Sequence, residues 1–496
     1  MSKLNKIVIR VVVLMVFLLA ANQLYRFFLF EPNLQEHSDI INLVRDVPDS
    51  ASVIYLGESS NFTFGDYDLN TSRISDLISG YYPELIFGTI SHGALHAGNF
   101  KILLENIPKD KPVQTLIVTL NLRSFNAQWI DSKLETSLSK NMVLLKRGPP
   151  LFKRSMLSFK AYDIKSDTER ENRINKHWKK DELFLFNRGN KITVNQWTEE
   201  ILGLPDSIME KPKRLLGMHY IRTYGFEIDT LHNARIKDFD EIVSMAKKRG
   251  WNLVFNLMAE NTEKAAELVG SDLVRIMRDN ALLLGSRYSR LGVSVVNNLE
   301  AVADPSYLDR NWTTEHYDET GRKIIAKNVA NSLRKFYPAK FSEVQYRDTV
   351  QKTSFFNDCE GNVRWFQMGT CSREQSHSGG YSSRINRDDA FSVGFTRPIS
   401  MIPSNSLNRV NIEFYYYQPY PESKAQVVME ILGGEGKAIW VNSHISKANP
   451  PTGKWVLFNT FFNIPKEARG HRLIKVYVWN PGKEPAFIDD ISIQFE

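Results

Sequence analysis

Short runs dominated by apolar residues fall at 52–56, 85–89, 116–120, 252–257 and 293–296, and the stretches between them repeat apolar residues every three or four positions. Continuous apolar runs of this length fit strands buried on both faces of a parallel sheet, and the wider spacing fits amphipathic helices. Helices are predicted from Gly93 to about 104 and over 234–249, 263–284 and 321–336. This alternation predicts an α/β domain over 50–338 with a mostly parallel sheet, whose ligands bind at the C-terminal strand ends. From 132 to 221 the pattern weakens into polar, helix-leaning sequence, read as an insertion able to cover the sheet as a lid. Beyond 350 the period changes. Segments 410–416, 426–431, 455–462, 473–479 and 488–495 are short, β-branched and aromatic, with Gly, Pro, Asn and Ser between them, which predicts an all-β sandwich over 350–496.

The first thirty residues differ from both patterns. Lys3, Lys6 and Arg10 accompany an apolar stretch over 7–30, long enough to cross a bilayer of about 30 Å. The flanking positive charge puts the rest of the chain outside the cytoplasm. Residues 1–30 are therefore expected to be an uncleaved signal anchor in an inner membrane, with 31–49 as a linker and the remainder facing the periplasm.

Composition narrows the class without naming it. With 42% hydrophobic and 24% charged residues among 496, the chain is neither disordered nor a multi-span membrane protein. The net charge of +7 is partly concentrated between Lys146 and Lys180, where interleaved Asp and Glu favour a solvated helical face. No nucleic-acid-binding motif accompanies it, so no nucleic-acid partner is expected. Cys359 and Cys371 are the only cysteines, and in an exported chain they are expected to form one short-loop disulfide.

Chemistry concentrates at four points along the α/β region. Val53-Ile54-Tyr55-Leu56-Gly57-Glu58-Ser59-Ser60 runs from an apolar strand into a tight turn bearing a serine. Gly93 follows the second strand and Asn121 ends the third. His316 lies just ahead of Gly321 and the last apolar helix. A neutral imidazole can take a serine proton during attack and return it to a leaving group. His92, His96 and His219 lack zinc-site spacing and read as structural or surface residues. In this order the four blocks resemble the SGNH/GDSL superfamily of serine hydrolases and acyltransferases. The resemblance implies a flavodoxin-like α/β fold, Ser59 as nucleophile, His316 as base, and an oxyanion hole from the Ser59 and Gly93 N–H groups and the Asn121 amide. Two positions depart from the family. Glu58 replaces the usual aspartate, and Thr313 stands where the triad acid is expected. Asp309, Glu315 and Asp318 are the nearby carboxylates, and a dyad oriented by a backbone carbonyl is a further option. Asp309 is chosen, because Glu315, adjacent to the histidine, would point the opposite way on an extended segment.

In the C-terminal region, Phe355 to Glu360, Trp365, His377 to Ser382, and the closing 486–493 strand resemble jelly-roll carbohydrate-binding modules. That resemblance implies sugar stacking on aromatics such as Trp365 and Trp440, and a possible structural calcium held by Glu360 and Asp490. No cofactor is needed for the serine chemistry. The pairing of domains is similar to that of alginate O-acetylation proteins. It implies an O-acyl transferase or esterase, acetyl in the first place, acting on a cell-envelope or exported polysaccharide with a membrane-bound O-acyltransferase as partner. The alternative is a non-catalytic glycan-binding or assembly factor whose hydrolase domain has decayed.

Overall fold

Five parallel strands carry the first part of the chain: β1 (Val53–Gly57), β2 (Phe87–Ser91), β3 (Thr115–Leu120), and later β6 (Asn252–Leu257) and β7 (Ser294–Asn297). They lie in the order β2-β1-β3-β6-β7. Every residue of β1 and β3 is buried, as their predominantly apolar runs require. The order reverses at β1, so a crevice opens beyond the C-terminal ends of β1 and β3, where open α/β sheets place their ligands.

This computed structural model describes residues 3–37, 39–145, 150–151, 166–344, 351–361, 365–421, 423–433 and 438–496. The chain forms two units, Met1–Thr63 with Arg73–Glu343, and Phe64–Ser72 with Val344–Glu496. Segment 64–72 therefore departs from the α/β region that surrounds it in sequence. Within the second unit, Lys475 Nζ lies 3.0 Å from Asp66 Oδ2 and the Arg397 guanidinium donates to Thr71 Oγ1 at 3.2 Å.

The helices of the first unit begin with α1 (Lys3–Tyr25), followed after a wide turn by α2 (Glu31–His37) and α3 (Asp39–Arg45). By length and composition, the helical stretch Leu4–Leu34 is long and apolar enough to cross a membrane. The linker expected over 31–49 is mostly helical instead. Ile40, Ile41, Val44 and Val47 are buried, and their three-to-four spacing forms a core-facing stripe that its neighbourhood to the anchor obscured. Next come α4 (Ile74–Gly80), α5 (Ala97–Glu105), α6 (Ala127–Ile130) and α7 (Leu134–Leu145). The insertion continues with α8 (Asp167–Lys180), a hairpin of β4 (Glu182–Leu185) and β5 (Asn190–Thr193), α9 (Val194–Leu202) and α10 (Lys211–Tyr224). Much of its basic run, at 146–149 and 152–165, lies outside the described residues.

Helix α11 (Ala234–Arg249) ends on Gly250 in the left-handed region, and its lysines and arginine in the last turn suit the helix dipole. The single helix expected over 263–284 is two, α12 (Thr262–Leu268) and α13 (Ser271–Arg290), because Gly270 between them adopts φ 111°. Helix α14 (Glu319–Leu333), capped by the Asp318 carboxylate on Gly321 N at 2.9 Å, closes the unit and packs on α4.

The second unit is a β-sandwich. One sheet has the order β15-β12-β17-β10-β9, with β8 also on β17, and the other has β11-β16-β13-β14. Its long strands are β12 (Arg409–Tyr417), β13 (Gln426–Leu432), β14 (Ile439–His444), β15 (Val456–Asn463), β16 (Leu473–Trp479) and β17 (Ala486–Phe495). The shorter β8 (Ser354–Asn357), β9 (Cys371–Ser372), β10 (Ser382–Ile385) and β11 (Phe395–Pro398) complete it. Buried residues alternate along β12, with Val410, Ile412, Phe414 and Tyr416 facing the core.

Candidate functional site

Ser59 begins a single tight turn at the C-terminal end of β1, in the crevice. Glycine is required just before it, since a Cβ on Gly57 would lie 2.6 Å from Tyr55 Cε1 and 3.2 Å from both Asn61 Cβ and Ser91 Oγ. Glu58 is buried and caps the turn, accepting from Ser60 N at 3.2 Å and from the Ser60 hydroxyl. The glutamate thus holds the turn that presents Ser59, whose own hydroxyl lies 3.3 Å from the same carboxylate.

His316 reaches that serine from the other end of the unit. Its Nε2 lies 2.9 Å from Ser59 Oγ, and its Nδ1 lies 2.6 Å from Asp309 Oδ2. A short antiparallel pairing makes the second contact: Leu308 N donates to His316 O at 2.9 Å, and Tyr307 bridges Tyr317. Asp309 also accepts from Thr314 Oγ1 at 2.8 Å. The pairing brings a carboxylate seven residues away beside the imidazole. Thr313 is buried with its hydroxyl 3.2 Å from Thr223 Oγ1, so it faces away from the serine.

A cavity of about 420 Å³ opens beside these residues, bordered by Ser59, His316, Gly93, Asn121 and Trp312. Gly93 leaves open space where a Cβ would stand, and Ala94 beside it takes φ 63°. The Asn121 amide is buried, and its Oδ1 meets no hydrogen-bond partner among the described residues. The three groups proposed for an oxyanion hole therefore line one cavity. His96 also borders it but serves as the cap of α5, accepting from Gly98 N at 3.1 Å. The His219 ring packs on Trp312 at 4.1 Å, and burial lowers its pKa.

Behind the cavity lies a cluster that sequence reasoning missed. Arg123 is buried, with its guanidinium paired to the Glu315 carboxylate and donating to the Thr313 carbonyl. Glu260 is a buried neighbour of Glu315 and accepts from Tyr224 Oη at 2.5 Å. Neither glutamate is reached by solvent. Burial, opposed by Arg123, pushes Glu260 up to about 7, and burial with the neighbouring Glu260 and Glu58 holds Glu315 well above the carboxylate range. The available signal was positional. Arg123 and Glu260 each fall two or three residues past the end of an apolar strand, where a charge is turned toward the crevice.

A carboxyl that titrates near 7 when folded and near 4.3 when unfolded keeps its proton longer in the folded chain. Its contribution to stability is fully present below the unfolded value and is lost as pH rises through 7, roughly 4 kcal/mol over the whole window. Glu260→Gln is expected to flatten this fall. Urea midpoints of the wild type and the variant at pH 5 and pH 8 would check it, with the variant gaining on the wild type at pH 8.

In the second unit the structure corrects three expectations. Trp365 is 1% exposed and packs edge-on to Phe395 at 5.5 Å, so it is a core residue and cannot stack on a sugar. Cys359 and Cys371 are free thiols rather than a disulfide. The neighbouring Cys371 thiol and burial together raise the Cys359 thiol. Glu360 and Asp490 do not gather a calcium site. Glu360 Oε1 accepts from Gly380 N at 2.7 Å and Tyr381 N at 2.8 Å, and Asp490 binds His377 Nδ1 and Ser378 Oγ, each at 2.7 Å. These oxygens face hydrogen donors, and no three His, Cys, Asp or Glu converge among the described residues, so the residues do not fit the ion. Asp489 accepts from His377 N at 2.8 Å and is pushed up to about 6 by burial. Trp440, in contrast, is 46% exposed on the outer face of β14, 6.4 Å from the Trp479 ring.

No family model matches the chain, and no curated protein matches it. Among solved structures, the chain is similar to the CBM22-1 xylan-binding domain from Paenibacillus barcinonensis Xyn10C, at 16% identity over 30% of this chain and 88% of that one, with a TM-score of 0.20. It is also similar to a xylan-binding domain from CBM 22, at 15% identity over 28% and 93% with a TM-score of 0.21. A third is TmCBM61 in complex with beta-1,4-galactotriose, at 15% identity over 29% and 90% with a TM-score of 0.18.

Proposed function

We propose that this chain is a serine-dependent O-acyl transferase or esterase of the SGNH type, acting on a cell-envelope or exported polysaccharide. The observation that carries the reading is the hydrogen-bonded line Ser59 Oγ, His316 Nε2, His316 Nδ1, Asp309 Oδ2 at the edge of a cavity. A nucleophile, a base and a carboxylate orienting that base are the three roles acyl transfer needs.

In the first half-reaction Ser59 Oγ attacks the donor carbonyl while His316 Nε2 takes its proton. The oxyanion that forms is met by the Ser59 and Gly93 N–H groups and the Asn121 side-chain amide. Collapse breaks the carbonyl carbon's bond to the leaving oxygen, which takes the proton from His316 and departs, leaving the acyl group on Ser59. A sugar hydroxyl or water then repeats the sequence in reverse. Asp309 favours the imidazolium formed in each half.

The test is labelling with a fluorophosphonate that reports on activated serines. The wild type is expected to label and Ser59→Ala to remain unlabelled. Equal labelling of both, or of neither, would remove the catalytic reading.

The sandwich supports a glycan-holding role through its exposed aromatics. On this reading the acceptor lies across Trp440, and the N-terminal helix anchors the chain with both units facing the periplasm, beside a membrane-bound O-acyltransferase. Trp440→Ala is expected to weaken retention by the recognised polysaccharide about tenfold, since an exposed indole is the kind of anchor whose loss dominates binding. Affinity electrophoresis through gels containing candidate polysaccharides would measure it.

A further inference from the structure

The rim of the cavity beside Ser59 carries aromatic surface that the catalytic line does not use. Phe100 and Phe239 of its lining are buried, whereas Trp312 is 46% exposed, Leu134 is 49% exposed and Trp129 is half-buried. A tryptophan exposed elsewhere on a surface needs no explanation, but Trp312 borders the same solvent-open space as Ser59 and His316.

Trp312 is also held in place. Its backbone N–H donates to Asp309 O at 2.9 Å and closes the turn 309–312, and Asp309 is the carboxylate on His316 Nδ1. Within that turn Arg310 pairs with Asp304, which accepts from Asn261 Nδ2 at 2.7 Å. The His219 ring packs against the indole, with 4.1 Å between centroids and a tilt of 50°. One turn therefore fixes the indole relative to the base that must take a proton from an incoming acceptor. A surface ordered before binding loses little freedom when a ligand settles on it. The hydroxyl residues Ser124, Ser132 and Thr314 border the same cavity. A flat apolar face accompanied by hydroxyls suits a pyranose, which has an apolar C–H face and a rim of hydroxyls.

Resting on the acyl-transfer reading above, we infer that Trp312 is the platform for the acceptor, a pyranose ring whose apolar face lies on the indole while one of its hydroxyls attacks the Ser59 ester. The sugar oxygen forms the new bond to the acyl carbon, the bond from that carbon to Ser59 Oγ breaks, and the sugar's proton passes through His316 Nε2 to Ser59 Oγ. Trp312 belongs to the first unit, so its task differs from that of Trp440 in the sandwich: Trp440 retains the polymer, and Trp312 selects the ring that reacts.

The experiment supplies the full chain, in lipid nanodiscs, with p-nitrophenyl acetate as donor and compares two kinds of acceptor at equal concentration. Methyl β-D-glucopyranoside, methyl β-D-galactopyranoside and methyl α-D-mannopyranoside offer a ring face, whereas sorbitol offers more hydroxyls but no ring. Acetylated products are measured by mass spectrometry, with the Ser59→Ala background subtracted. The wild type is expected to acetylate at least one pyranoside at least about tenfold more than sorbitol, Trp312→Ala to bring that ratio to within about twofold of unity, and Trp312→Phe to keep most of it. A ratio taken within one sample does not depend on how much of a variant folds. A wild-type ratio near unity, an absence of Ser59-dependent transfer to all three pyranosides, or a wild-type ratio retained by Trp312→Ala overturns the inference, and Ser59-dependent release of p-nitrophenol leaves the acyl-enzyme standing in each of these cases. Release of p-nitrophenol at identical rates by wild type and Ser59→Ala would instead overturn the acyl-transfer reading itself, and this inference with it.

Discussion

Ser59→Ala is expected to lower ester turnover at least about a thousandfold, His316→Ala to lower it nearly as far, and the double variant to be no worse than Ser59→Ala alone. The reason is the 2.9 Å contact between Ser59 Oγ and His316 Nε2. A serine hydroxyl is a poor nucleophile until its proton has somewhere to go, and the imidazole has no task once the hydroxyl is absent. Groups that act as one unit therefore lose the same activity whichever is removed, and their effects do not add. Residual turnover would come from binding and oxyanion donors that both variants retain. Initial rates on the preferred p-nitrophenyl ester, with each variant's fold checked by circular dichroism, would test this. Additive losses in the double variant would mean that the two residues act separately.

Much of this arrangement is legible in the sequence, because β1, β3 and β6 are predominantly apolar runs and each candidate residue follows a strand end or precedes a helix. Ser59, Gly93, Asn121 and His316 are singled out by their order in four blocks that resemble the SGNH/GDSL superfamily, since Ser59, Gly93 and Asn121 each read alone also as an ordinary turn or cap residue. Asp309 required a choice among several carboxylates. What places it is a pairing between 307–308 and 316–317 that no periodicity reveals, since the segment is too short and irregular to carry one. The opposite facing of Glu315 followed from alternation along an extended chain, but its partner did not. Arg123, Glu260 and Glu315 are separated by more than fifty residues at the nearest approach in sequence, and only the closing of the sheet brings them together. In the sandwich, alternation located the strands yet could not distinguish a core tryptophan from a surface one. Trp365 falls in a region of turns and short bridges, where there is no regular face to assign, whereas Trp440 lies on a strand whose neighbours alternate. The departure of 64–72 from the α/β unit carries no composition shift at all.

The buried cluster leads to the second large effect, and here the expected loss is in stability. Arg123→Met should destabilise the protein by roughly 3–5 kcal/mol at pH 8, because it leaves Glu315 and Glu260 facing each other with no compensating cation. The loss should be smaller at pH 5. Without the guanidinium both folded-state carboxyls titrate higher still, so both stay protonated at pH 5 with little penalty, while at pH 8 the unfolded chain releases protons that the folded one must either keep or give up into a buried site. The Arg123→Met/Glu315→Gln double variant should recover much of the loss at pH 8, since it removes the charge that the first substitution stranded. Urea denaturation of the wild type, Arg123→Met, Glu315→Gln and the double variant at both pH values forms a complete cycle. Two independent, additive losses would show that Arg123 and Glu315 do not sense each other. The same guanidinium holds the Thr313 carbonyl and the Glu315 carboxylate, on either side of Thr314 and next to His316. Arg123→Met should therefore lower kcat more than it raises KM, and the double variant, which restores stability without restoring that grip, should not recover kcat. Stability and turnover recovering together in the double variant would reduce Arg123 to a folding residue with no part in positioning the histidine.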